Sequence, residues 1–68
     1  MNNSTNPPLT KFPKVFVVTR DGRRTSEKNF TTEWDAKLEA DYWINLTRKH
    51  DPKSRISVVK TDKPKRIR

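Results

Sequence analysis

KVFVVTRDGRRTSEKNF, residues 14–30, decides the architecture. Its first half, KVFVVTR, is a β-branched and aromatic run bounded by Pro13 on one side and Asp21-Gly22 on the other, the composition of a strand. Asp-Gly between two extended runs signals a two-residue hairpin, because a primed turn needs positive φ at both central positions. The spacing predicts a hairpin over residues 14–30, with Arg20 opposite Arg23, Val18 opposite Thr25 and Phe16 opposite Glu27. On a period of two, Val15, Val17 and Phe30 then share one face, while Phe16 and Val18 take the other. The second half, RRTSEKNF, is mostly polar, as suits an edge strand protected from aggregation.

Downstream, Thr32-Glu33-Trp34-Asp35 reads as a capping box, and a helix over about 33–49 follows. Glu33, Asp35, Glu39 and Asp41 crowd its first half and Arg48, Lys49 and His50 close it, which complements the macrodipole; Asp51-Pro52 then stops it. RISVVKT, residues 55–61, reads as a third strand. Upstream, residues 1–13 are rich in Asn, Ser, Thr and Pro and are expected to be a flexible arm; residues 62–68 are expected to be a basic flexible tail. The fold class is therefore α+β, a small β-β-α-β domain over 14–61. Its three-stranded antiparallel or mixed sheet carries one helix on one face, with the strand order left open.

Composition narrows the function. The chain has 68 residues, 16 Lys and Arg against 8 Asp and Glu, a net charge of +8 and only 29% hydrophobic residues. A chain this short buries only ~60% of its unfolded surface, so the core is thin. With no cysteine and one histidine, disulfides, Cys-based zinc sites and Cys/His or Ser/His nucleophile pairs are excluded. A single glycine, Gly22, leaves no phosphate-cradling loop. The expectation is no enzyme and no cofactor. His50 beside Asp51 reads as a histidine complementing a helix end rather than as a catalytic dyad. No apolar run approaches a membrane span and the first residues carry no signal core, so a cytoplasmic location is expected, and the Asn-X-Ser/Thr triplets at Asn2, Asn29 and Asn45 are discounted.

The apolar surface exceeds what one helix on one sheet face can cover. Ala36, Ala40, Trp43 and Thr47, flanked by Ile44, form one helical stripe, and Trp34, Leu38, Tyr42 and Leu46 form a second nearly opposite. On the sheet, Val15, Val17 and Val58 or Val59 are expected to face the helix, which leaves Phe16 spare. Two readings account for the surplus. Either the arm folds over it through Leu9 and Phe12, or Trp34, Leu38, Tyr42, Leu46 and Phe16 form a docking surface for a protein partner.

The charge is equally uneven. The arm holds +1, residues 14–59 hold +3 and residues 60–68 hold +4. Candidate polyanion-binding residues are Arg20, Arg23 and Arg24 at the hairpin tip, Arg48, Lys49, Lys53 and Arg55 at the helix exit, and Lys63, Lys65, Arg66 and Arg68 in the tail. If the third strand lies beside the first, tip and tail form one patch suited to DNA, RNA or an acidic protein surface; otherwise the charge is a solvated face. The basic residues avoid the helix middle, which argues against membrane binding.

Two family resemblances bear on function. FVVTRDGRRTSEKNFTTEWDAKLEADYW, with its basic hairpin, Phe30-Thr31-Thr32 and an Ala-rich helix start, resembles the arm-type DNA-binding domains of tyrosine recombinases over about 30 residues. It departs from them where a third strand should precede the helix and in having a strand, residues 55–61, after it. The whole β-β-α-β order, with WDAKLEADYW on the helix and RISVVKTDKP after it, is similar to small phage-encoded inhibitors of bacterial RNA polymerase. That resemblance implies a non-catalytic regulator of the host-takeover type; those inhibitors can be acidic whereas this chain is basic, so its binding surface would differ from theirs. It would be a monomer in the host cytoplasm, binding RNA polymerase and inhibiting or redirecting it. The alternatives are a nucleic-acid-binding module that uses the hairpin and tail, or an inhibitor of another host enzyme.

Overall fold

The computed structural model describes residues 14–68. The chain runs β1 (Val15–Arg20), β2 (Arg23–Arg24), α1 (Glu33–His50), β3 (Ile56–Thr61) and a short 3-10 turn at Pro64–Arg66. The sheet is antiparallel in the order β2-β1-β3, with α1 packed on one face. The fold is the α+β arrangement expected from the sequence, and the strand order places β3 beside β1.

The hairpin turns where the Asp-Gly pair requires. Asp21 has φ +53° and Gly22 φ +86°, and Arg20 pairs with Arg23. Thr25 N–H donates to the Val18 carbonyl at 3.0 Å, so the register read from the turn holds that far. It then breaks. Phe16 pairs with Phe30 through two 2.8 Å backbone bonds, not with Glu27, because residues 26–29 loop out of the ladder. Two residues across strands share a face, so Phe30 joins Phe16 rather than Val15 and Val17.

This corrects the expected sheet faces. Phe16, Val18, Ile56 and Val58 point at the helix, where Val18, Ala36 and Ala40 are buried against Phe30 and Trp43; Val15, Val17 and Val59 take the other face. The Phe16–Phe30 bridge makes the choice, and the helix fits it. Ala36 and Ala40 offer nothing beyond Cβ, so the helix sits close to the sheet and the large rings of Phe16 and Phe30 fill the flanks. Lys60, directly across from Phe16, lays its ammonium 5.8 Å from that ring's centre.

Helix α1 starts as its sequence requires. Thr32 is extended, and its hydroxyl accepts from the Asp35 N–H at 3.2 Å. Thr47 is buried on the core face, and its hydroxyl donates to the Trp43 carbonyl at 2.8 Å, so no polar group is left unpaired there. Asp51 closes the helix, its N–H donating to the Thr47 carbonyl at 2.7 Å. The arm, residues 1–13, with its Leu9 and Phe12, lies outside the described residues.

Candidate functional site

Two surfaces stand out: one pole of the sheet and the outward side of α1. At the pole, three separate stretches of sequence meet. The Asp21 N–H donates to the Arg55 carbonyl at 2.8 Å, and the Asp21 carboxylate accepts the Arg55 N–H at 2.9 Å, which ties the hairpin tip to the start of β3. The Arg20 guanidinium donates to Ser54 Oγ at 3.0 Å and to Asp51 Oδ2 at 3.1 Å, and Ser54 Oγ–H donates to that same carboxylate oxygen at 2.7 Å. That triad ties the tip to the helix exit. The Ser54 hydroxyl, and then the Arg20 guanidinium, hold the Asp51 carboxyl below its ordinary pKa.

These bonds sort the eleven candidate cations. Arg20 is spent on Asp51 and Ser54, so its charge serves the fold. Arg24 is spent as well. Its guanidinium donates to the Pro64 carbonyl at 2.8 Å, the Ile67 carbonyl at 2.9 Å, Asn29 Oδ1 at 3.1 Å and the Ser26 carbonyl at 3.3 Å, while its backbone N–H donates to the Arg68 carbonyl at 2.7 Å. The tail expected to hang free at 62–68 is therefore pinned back along the sheet, with Arg68 arriving beside the hairpin tip. Free of such bonds among the described residues are Arg23, Arg48, Lys53 and Arg55 at the pole and Lys63, Lys65, Arg66 and Arg68 along the tail. Arg48 lines the cleft between Ile44, Pro52 and Ile56, at the same end. Both pole acids, Asp21 and Asp51, are already engaged, so the local field is positive. Asp51 turns to Arg20 and Ser54 and not to His50.

The outward side of α1 is different in kind. Trp34 is 71% exposed, Leu38 53%, Tyr42 61% and Leu46 36%, which is the second stripe of the sequence, opposite the buried Ala36, Ala40 and Thr47. A shallow groove between Tyr42, Asn45, Leu46, Lys49 and His50 ends this ridge, so Lys49 belongs to the ridge rather than to the pole. Phe16 does not belong to the ridge; it lies beneath the helix in the core, because its cross-strand bridge to Phe30 turns it inward. Trp43 stands edge-on to Tyr42 with ring centres 5.4 Å apart, and its indole N–H donates to Glu39 Oε2 at 3.1 Å.

Among the described residues, no helix is long and apolar enough to cross a membrane, and no three His, Asp or Glu side chains converge as a metal site would need. The structural roles of Arg20 and Arg24 are not legible in the sequence: Arg20 finds its side-chain acceptors, Asp51 and Ser54, more than 30 residues away, and Arg24 is held mostly by backbone carbonyls, which look the same under every side chain. No family model, no curated protein and no solved structure matches this chain.

Proposed function

We propose that this protein is a non-catalytic regulator that binds an acidic surface through its basic pole. The target we propose is bacterial RNA polymerase, where a small basic body seated on an acidic site would inhibit or redirect transcription. One observation supports the binding mode. Arg23, Arg48, Lys53 and Arg55 come from three sequence segments to one end of the domain, while the acids between them are occupied by bonds of their own. Like charges gathered on a rigid frame favour a partner of opposite sign and speed its capture. The choice of polymerase rests on the resemblance in element order and helix composition, and the geometry adds nothing to it.

A nucleic-acid duplex is the second reading, favoured by the pinning of the tail, which brings Arg68 to the tip and extends the pole into a strip. Titrating fluorescently labelled protein with purified polymerase and with generic duplex separates the two. The expected result is polymerase binding that weakens at least ~10-fold in Arg23→Glu/Arg55→Glu, with duplex binding weaker than ~10 μM at ~150 mM salt. Micromolar duplex binding with a steep salt dependence, and no polymerase binding, would transfer the function to nucleic acid.

A further inference from the structure

We infer that the outward ridge of α1 is a self-association surface, on which a second copy of the chain docks antiparallel about Tyr42. This goes beyond the reading of the basic pole and does not rest on it. The ridge is apolar and open, with Trp34, Leu38, Tyr42 and Leu46 all exposed. What identifies the occupant is the pattern around them. Counting from Tyr42, Leu38 and Leu46 lie four residues to either side, and Asp35 and Lys49 lie seven to either side. Two such helices run antiparallel, with the two-fold axis at Tyr42, set Leu38 against Leu46 of the second copy and Asp35 against its Lys49, and repeat both contacts by symmetry. Seven residues of helix span about 10.5 Å, so a shallow crossing keeps both ends in reach.

Charge favours a second copy as the occupant. Helix α1 carries Glu33, Asp35, Glu39 and Asp41 in its first half and Arg48 and Lys49 in its last turns, with Lys37 between, so it is nearly neutral on a chain of net charge +8. It is the one described element on which two such basic chains can approach without repulsion. A parallel pair would set acid on acid and base on base; the antiparallel pair sets each half against its opposite. An acidic protein or a nucleic acid laid along the ridge would meet Lys49 at one end but Asp35 at the other, whereas a second copy matches both. The same palindrome places the two basic poles at opposite ends of the pair, so the dimer is two-headed.

A single helix crossing buries less than the ~800 Å² per partner of a standard interface, so the association is weak, with dissociation constants of roughly 10–500 μM. Sedimentation equilibrium of the full chain from ~10 μM to ~1 mM at ~150 mM salt is the test. The mass is expected to rise from 8.1 kDa toward twice that value. Tyr42→Glu should hold it at one chain with an unchanged circular dichroism spectrum. Asp35→Lys and Lys49→Asp should each weaken the dimer at least 5-fold, and the double swap Asp35→Lys/Lys49→Asp should restore it. A chain that stays monomeric at ~1 mM overturns the proposal, whatever covers the ridge. So does association that Arg23→Glu abolishes and Tyr42→Glu leaves intact, or single-swap losses that the double swap does not recover.

Discussion

Removing the Arg24 guanidinium tests how the tail is held. Arg24→Ala deletes four side-chain donations, two of which, to Pro64 and Ile67 at 2.8 and 2.9 Å, cross to the tail. A net hydrogen bond contributes about 0.5–1.5 kcal/mol and more from a charged donor, but Arg24 is half-exposed, which argues for the middle of that range. The two tail bonds together should therefore couple Arg24 to the tail by about 2 kcal/mol. A domain of this size has only roughly 3–8 kcal/mol in all, so the effect is large enough to read. The assay is a double-mutant cycle in urea: the full chain, Arg24→Ala, a chain ending at Thr61, and both changes together. If the geometry holds, Arg24→Ala costs clearly less once the tail is gone, and the difference is the coupling. A coupling below ~0.5 kcal/mol, with equal slopes in urea, would refute the pinned tail. The backbone bond from Arg24 N–H to the Arg68 carbonyl survives the substitution, so deleting the tail should cost more than Arg24→Ala takes from it.

Gly22 sits at φ +86° with nothing within 4 Å of where a Cβ would stand, so Gly22→Val meets backbone strain and no clash. A loss of about 1–2 kcal/mol, or roughly 4–12 °C in melting temperature, is expected, and Gly22→Asn should lose less than half of it; an unchanged melting temperature would show that the turn is not of the primed type. Asp51 should titrate below its ordinary value of 3.8, and Ser54→Ala should raise it toward that value, as followed by carboxyl ¹³C shifts. Because the folded value is the lowered one, the network stabilises the fold above the ordinary pKa and the stabilisation is lost as pH falls through the folded value. The stability gap between the native chain and Asp51→Asn should accordingly be constant from pH 5 to 8 and shrink below about pH 4; a gap that persists to pH ~2.5 would show that Asp51 is not held by Arg20 and Ser54.

The parts that were legible in the sequence are those governed by short-range rules. Asp21-Gly22 announced a turn, Thr32 a helix start and Asp51-Pro52 its stop, each through backbone constraints that act within a few residues. The two helical stripes were also readable, because the Ala36/Ala40 and Leu38/Tyr42 rows repeat at helical spacing. The inward face of β1 was not. Val15, Phe16, Val17 and Val18 are apolar in succession, so alternation alone gives no preference for either side. The decision came from the loop at residues 26–29, which shifts Phe30 onto Phe16, and nothing in the turn reaches that far. For the same reason alternation alone leaves Phe16 on the spare face. The roles of Arg20 and Arg24 depend on acceptors more than 30 residues away and lay beyond any local pattern.

The order of the strands also dictates when the domain can become cooperative. The central strand's short ladder to β2 closes over two residues and needs little entropy, so it can flicker into being early. Its long ladder, the six pairs from Val15↔Thr61 to Arg20↔Ile56, joins positions about 40 residues apart. Less than half of that distance is taken up by the 18 residues of α1, whose ends shorten the search only after the helix has formed. Hairpin and helix thus rest on local contacts, and pairing with β3 closes the longest loop in the sheet. The last strand also brings the Arg20, Asp51 and Ser54 triad together. The basic pole therefore exists only where the long ladder is closed, and a partner of the proposed kind would read the closed sheet and not the hairpin or the helix alone.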